Sequence, residues 1–449
     1  MSQLLPAPGI PENRGKFRER LLALREAVEP RVSASIEAHR MSRATVRVTD
    51  ASGQPVPGVE IGVEQTTSSF RFGANSFMLN GFDSAEQNHR WEELFAGLFN
   101  QAVVPFLWKD LEPERGKPRF SAESPMVFRR PPPDAVLDFC ERYHIEPKGH
   151  CLSYHQFTPD WMPKDGQACR DAYAAYFAQV GARYHKRIPV WDVVNEALSR
   201  YVYRNNPMPP DWVRWSFRAA REHFPGCQLI LNEATCSWEE DAHHHFGFET
   251  HPFFLLAQNL LLQGIPVDAL GLQYHLFNSK EEDLWQRSGD WGILSLSHLL
   301  QVLDHYQTLD RPLHISEITI PCYGESADDE ALQAEIAEML YRTWFSHPSV
   351  HSITYWNVVD GFAYAEEGAL RGALVRKDLS EKAIYRTLKN LIHNQWRTRL
   401  ASASAPDGTL EFRGFHGHYC GQVSQDRKTQ AVEFDLLPGQ ATEILVKWA

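Results

Sequence analysis

Three things are scarce in this chain of 449 residues: surplus positive charge, clustered cysteine and long apolar runs. Lysine and arginine number 45 against 57 acidic residues, a net charge of −12. A nucleic acid or other polyanion calls for a basic surface, so no such partner is expected. The cysteines, at 140, 151, 169, 227, 236, 322 and 420, lack any Cys-x-x-Cys spacing. A scattered, odd set fits reduced thiols better than a disulfide framework or a structural zinc. Without an apolar run of membrane-spanning length, no membrane partner is expected. The opening Met1-Ser2-Gln3-Leu4-Leu5-Pro6 lacks the basic and apolar blocks of a secretory signal. With the dispersed thiols, this makes a cytoplasmic location the expectation. Internal repeats and low-complexity tracts are missing too.

Hydrophobic residues make up 43% and charged residues 23%, ordinary values for a soluble globular protein. The length suits one large domain plus something smaller. Thirteen tryptophans are available either to fill a core or to stack on the apolar faces of sugar rings. A neutral oligosaccharide or polysaccharide partner is compatible with the acidic charge.

Two apolar stretches end on a carboxylate. Val190-Trp191-Asp192-Val193-Val194-Asn195-Glu196 reads as a buried strand ending on a polar pair. Pro312-Leu313-His314-Ile315-Ser316-Glu317-Ile318 has the same design. One such carboxylate alone could cap the helix that follows. Two of them, on strands far apart in sequence, match the needs of glycoside hydrolysis. One acid must hold a proton for the leaving group while the other stays ionised to attack the anomeric carbon. At the C-terminal ends of barrel strands, both would stand where catalytic groups sit.

Residues 14–39 carry Leu21, Leu22, Leu24, Val28 and Ile36 among charges, one or two amphipathic helices for the outside of the molecule. Residues 42–66 alternate, turn and alternate again, which predicts a β-hairpin. Short strands recur near the C-terminus, at 409–412, 433–437 and 443–448. Lone hairpins are marginal, so the two chain ends are expected to build one small β-sandwich. Its role is expected to be that of a brace, or else of a carbohydrate-binding module. Between them strands and helices alternate. The expected strands are 69–74, 102–106, 147–154, the one before Glu196, 228–232, 269–275, the one bearing Glu317, and 352–358. Helical patterns cover 134–143, 170–186, 330–346 and 380–393. The predicted fold is a (β/α)8 barrel, residues 68–397, with a helical segment at 1–41 and sandwich parts at 42–67 and 398–449.

The stretches around Glu196 and Glu317 resemble the acid/base and nucleophile signatures of glycoside hydrolase family 10, the xylanase family. Gly149-His150 with His155, Thr158-Pro159-Asp160-Trp161, Gly271-Leu272-Gln273 with His275, and Trp356 with Asp360 fit in the family's order. The match spans residues 68–390. It implies Glu196 as acid/base and Glu317 as nucleophile of a retaining β-glycosidase that needs no cofactor. It further implies Asn195 on the sugar 2-hydroxyl, His275 beside the nucleophile with Gln273 on the same side, His150 and His155 at the cleavage point, and Trp356 as the sugar platform. Asn232 and Glu233 resemble a supporting pair. A run of histidines at 243–245 suggests a metal only weakly, because adjacent histidines rarely share one.

The resemblance breaks after strand two. The family's Glu-Asn pair is replaced by Val104-Pro105-Phe106-Leu107, leaving Trp108 and Lys109 as candidate sugar contacts. Tyr154 stands where the family has Trp. The expected substrate is therefore a xylan-derived or related β-linked oligosaccharide, short or decorated, rather than long unbranched xylan. The alternatives are a non-catalytic carbohydrate-binding protein on the same barrel, or a retaining glycosidase of non-xylan specificity.

Overall fold

Strands buried on both faces need helices over them, and here they close into a barrel. The computed structural model describes residues 10–448 except 200–207, 235–237, 239–246, 279, 287 and 290–291. Two strands precede the barrel: β1 (Met41–Thr49) and β2 (Glu60–Ser68). The barrel strands are β3 (Arg71–Asn75), β4 (Gln101–Pro105), β5 (Glu146–Tyr154), β6 (Val190–Asn195), β7 (Gln228–Glu233), β8 (Ala269–His275), β9 (Leu313–Thr319) and β10 (Val350–Tyr355). They pair in parallel in the closed order β10-β3-β4-β5-β6-β7-β8-β9. Every residue of β6, β8 and β9 is buried, which is why these stretches read as continuous apolar runs. Among the intervening helices, Ala327–Ser346 starts with Ser326 and Asp329 capping one another's backbone amides. The predicted barrel is therefore present, with strand ends shifted by up to three residues. The last strand ends at Tyr355, so Trp356 stands just beyond it.

Five more strands follow: β11 (Arg399–Ala403), β12 (Thr409–Phe415), β13 (Gly417–Gln425), β14 (Lys428–Leu436) and β15 (Thr442–Lys447). They combine with β1 and β2 into two sheets, ordered β12-β1-β15 and β11-β2-β13-β14. The expected hairpin over residues 42–66 is corrected here. β1 and β2 do not pair along their lengths but belong to different sheets; an isolated Thr49–Pro55 bridge lies where the chain turns between them. The reason is burial. Val46 and Val48 of β1 and Ile61 and Val63 of β2 belong to one apolar core that also holds Tyr419, Val423 and Val446. A hairpin would have left that face in water, whereas two facing sheets cover it.

The segment before β1 is one helix, Ile10–Arg40, with Pro30 inside it. Phe17, Leu21, Val28, Val32 and Ile36 form its buried stripe, while Leu22 is exposed. Arg14 ties it to Glu281, Asp328 and Asp329 on helices of the barrel's outer ring. At its end Arg40 enters the junction between sandwich and barrel. Its guanidinium donates to the carbonyls of Phe345, His347 and Val350, and lies over the rings of Phe70 and Phe345. Burial pushes its pKa down to about 10, so it stays charged at neutral pH. Among the described cysteines Cys140, Cys151, Cys169, Cys227, Cys322 and Cys420 form no disulfide. No described helix is long and apolar enough to cross a membrane.

Arg40→Ala strips the hydrogen bonds from three carbonyls at the foot of the barrel. Buried unsatisfied groups cost about 1–3 kcal/mol each, so urea unfolding should show a loss of roughly 2–4 kcal/mol. A loss under about 0.5 kcal/mol would mean that the junction does not depend on this residue.

Candidate active site

The site begins with backbone geometry. β6 ends at Asn195, and Glu196 then takes a left-handed conformation, φ 55°. For a residue with a Cβ this is sparsely populated, and it persists only when neighbours hold it. The Glu196 amide donates to the Asn232 carbonyl at 2.9 Å. The Glu233 carboxylate accepts from the amides of Leu198 and Ala234, at 3.0 and 2.9 Å. Burial pushes the Glu233 carboxyl up to about 8 despite those amides. The supporting pair at the end of β7 thus holds the turn that carries Glu196.

Glu317 arrives by a slip in register. Between β8 and β9 the pairing shifts after Leu272, and Gln273 then stands opposite Glu317. Such irregularities re-aim side chains at strand ends. One amide group links the two carboxylate neighbourhoods. Asn232 Nδ2 donates to Asn195 Oδ1 at 2.6 Å and to Glu317 Oε1 at 2.9 Å. Gln273 Nε2 lies 3.4 Å from Asn195 Oδ1 and 3.3 Å from Glu196 Oε1. Gly271 makes room for this amide, since a Cβ there would stand 2.1 Å from Asn232 Oδ1.

The two carboxyl groups differ in environment. Burial pushes Glu196 up, and the Glu317 charge adds to the shift. Hydrogen bonds from Tyr154, 2.7 Å to Oε2, and from Gln273 pull the other way. Glu317 Oε2 faces His275 Nε2 at 3.3 Å, while Nδ1 of that ring sits 2.9 Å from Thr319 Oγ1. With a carboxylate at Nε2, that nitrogen carries the proton. Glu196 is thus biased toward its acid form, while Glu317 has donors suited to an anion.

His150 is oriented from below. Its Nδ1 lies 2.9 Å from Asp192 Oδ2, and Lys148 Nζ lies 3.0 Å from Asp192 Oδ1. Burial pushes the Asp192 carboxyl up, but Lys148 and His150 outweigh it and hold it below the usual range. An ionised Asp192 keeps the proton on Nδ1 and leaves Nε2 as the acceptor. Trp356, 8% exposed, meets Phe77 and His150 edge to face at 5.4 and 5.2 Å.

A cleft of about 550 Å³ gathers Glu196, Glu317, His150, Tyr154, Asn195, Gln273, His275 and Trp356. Three other expected contacts do not line it. His155 begins the short turn His155–Phe157 after β5; both its ring nitrogens are buried without partners, and burial pushes its pKa down to about 4. Trp108 packs flat on Tyr176 at 4.1 Å and donates to Glu112 at 2.8 Å. Lys109 pairs with Asp160 at 2.7 Å. Of the remaining motif residues, Trp161 packs edge to face on Trp108 and Asp360 pairs with Lys382, so both brace the walls. The histidine run at 243–245 lies outside the described residues. Among the described residues, no three His, Cys, Asp or Glu side chains converge as for a metal.

The cleft also exposes residues that sequence reasoning passed over: Phe77, Arg129, Arg130, Phe157, Tyr364 and Glu367. Arg129 and Arg130 come from residues 112–132, a long connection between the helices Trp108–Leu111 and Pro133–Tyr143. Its length was the available signal, because long ordered loops are often functional.

The family model for glycosyl hydrolase family 10 matches residues 79–391. The chain belongs to glycosyl hydrolase family 10. Among similar proteins, anti-sigma-I factor RsgI6 of Acetivibrio thermocellus is 24% identical over 85% of this chain and 44% of its own length. Endo-1,4-beta-xylanase 2 of Arabidopsis thaliana is also 24% identical, over 84% of this chain and 32% of its own. The chain therefore spans less than half the length of either. Xylanase 10B of Thermotoga petrophila, solved in complex with xylobiose, has the same fold: TM-score 0.57, 21% identity, 73% of this chain and 95% of that one. In this family 10 member the hydroxyl of Tyr154 reaches Glu196.

A hydrogen bond to the ionised form lowers a carboxyl pKa, so Tyr154→Phe should move Glu196 higher still. Carbon-13 NMR titration of the Glu196 carboxyl in both proteins measures this. An unchanged or lowered value in the variant would show that the contact does not tune Glu196.

Proposed function

We propose that this chain is a retaining β-glycosidase that cleaves xylan-derived or related β-linked oligosaccharides by double displacement. The observation that carries the reading is the pairing of Glu196 and Glu317 through Asn232, Asn195 and Gln273 in one cleft. In the first step Glu317 attacks the anomeric carbon while Glu196 gives its proton to the glycosidic oxygen. The leaving sugar departs as an alcohol, and a glycosyl ester remains on Glu317. Glu196, now a carboxylate, takes a proton from water, whose oxygen displaces Glu317 and restores the original anomer.

The other cleft residues take positioning roles. Asn195 meets the sugar 2-hydroxyl beside the nucleophile, a contact that strengthens as positive charge develops on the ring. His275 faces Glu317, Gln273 reaches Asn195 and Glu196, and His150 offers Nε2 to a sugar hydroxyl. Trp356 supplies a flat apolar face. Relatives named endo-1,4-beta-xylanase support a xylan-type backbone. The wall after β4 favours short or decorated chains, because it lacks the family's Glu-Asn pair and turns Trp108 and Lys109 elsewhere.

Hydrolysis of an aryl β-xyloside or aryl β-xylobioside should fall about 10⁴-fold or more in Glu317→Ala. The wild-type reaction, followed by proton NMR, should release the β-anomer first. Near-normal turnover in Glu317→Ala, or an α-anomer as first product, would sink the mechanism. Product profiles should also show xylo-oligosaccharides cleaved in preference to polymeric xylan; rapid internal cleavage of polymer would contradict the specificity.

A further inference from the structure

A further cavity, of about 170 Å³, opens where the helix Ile10–Arg40 ends, at the junction of sandwich and barrel. Ser69 and Phe70 lead into β3 and His351 lies at the start of β10, so the cavity faces the end of the barrel opposite to Glu196 and Glu317. It shares no residue with the cleft that holds those acids. Its walls are largely aromatic: Phe70, Phe345, Trp396 and Phe415, with Trp396 stacked on Phe345 at 4.1 Å.

Arg40 lines this cavity and spends only part of its guanidinium on the fold. Nε and Nη2 donate to the carbonyls of Phe345, His347 and Val350. Among the described residues Nη1 has no hydrogen-bond partner, and it is not sealed from solvent. Its two hydrogens are open to another acceptor. The charge is only partly answered. Three carbonyl dipoles offset some of it, but among the described residues no carboxylate acts on Arg40.

Two imidazoles report the same field. Burial pushes the pKa of His351 and of His416 down, and the Arg40 charge pushes both the same way. Arg71 adds to the effect on His351, although Glu146 pairs with it at 2.7 Å. The cavity is thus a positive spot on a chain whose net charge is −12. An accessible cation among aromatic rings suits a ligand that combines a ring with a negative charge. Space limits that ligand to one ring, since an apolar cavity of about 150 Å³ takes benzene.

We infer that the junction cavity is a binding site for a small, single-ring aromatic carboxylate, whose anion meets Arg40 Nη1 and whose ring fills the aromatic walls. Phe70, Phe345 and His351 belong to the barrel side, and Phe415 and His416 to the sandwich, so the bound acid touches both parts. The inference is independent of the glycosidase reading.

Benzoate is the probe, benzamide its uncharged match, and acetate the carboxylate without a ring. In calorimetry on the full chain, benzoate should bind at least about 10-fold more tightly than either, and less tightly as salt is added. At constant ionic strength Tm should rise with benzoate concentration, because the ligand binds the folded state. His351→Glu brings a carboxylate into the cavity and should abolish benzoate binding, whereas His351→Gln should keep it. No measurable binding of benzoate at millimolar concentration, equal affinity for benzoate and either control, or undiminished binding in His351→Glu overturns the inference. Should His351→Glu fail to fold, Ser69→Trp fills the cavity from an exposed position, and benzoate binding retained there overturns the inference instead.

Discussion

One side-chain amide organises the top of this barrel. Asn232 Nδ2 divides its two hydrogens between Asn195 and Glu317, while the carbonyl of the same residue receives the Glu196 amide. Three strands are thereby locked to one another at their carboxyl ends. The amide can lie there only because Gly271 of β8 has no side chain. In a water-poor site such a network is stiff, and stiffness is what two acids need if their spacing is to suit one sugar ring.

The rest of the molecule keeps that geometry in place. Parallel strands buried on both faces supply rigid rods, and the register slips at their ends turn Glu317 toward Gln273. Beneath the site, Lys148 and Asp192 fix the ring of His150. Away from it, the helix Ile10–Arg40 and the two-sheet sandwich cover the outside and the foot of the barrel, with Arg40 gripping three carbonyls between them. Chemistry and bracing occupy separate parts of the chain, a division common in barrels whose loops vary while their strands do not.

Contrast within the cleft gives it direction. Glu196 is buried and pushed toward its protonated form, and Glu317 is met by donors from His275 and Asn232. Beyond Trp356 the wall changes character, from aromatic to cationic, where Arg129 and Arg130 flank Phe77. The acid pair sits at the ends of β6 and β9, whereas Arg129 and Arg130 come from the connection at residues 112–132.

What could be read from the linear chain was whatever depends on short-range pattern. Apolar runs ending on Glu196 and Glu317 mark strands and their polar tips, because burial of both strand faces forces near-continuous hydrophobicity. The alternation of strands and helices named the barrel for the same reason. Long-range choices were not legible. Alternation in residues 42–66 describes two strands but not their partners; the shared apolar core that holds Val46 and Ile61 lies between two separate sheets. Tyr154 and His155 are adjacent in sequence, yet only Tyr154 of the two lines the cleft. Arg129 gives no sign of its surroundings until tertiary structure buries its charge and sets it beside Phe77. Sequence alone determined which strands exist and which acids end them, since those follow from local pattern; the fold decided which neighbours each side chain meets, since contact, charge pairing and desolvation are properties of three dimensions.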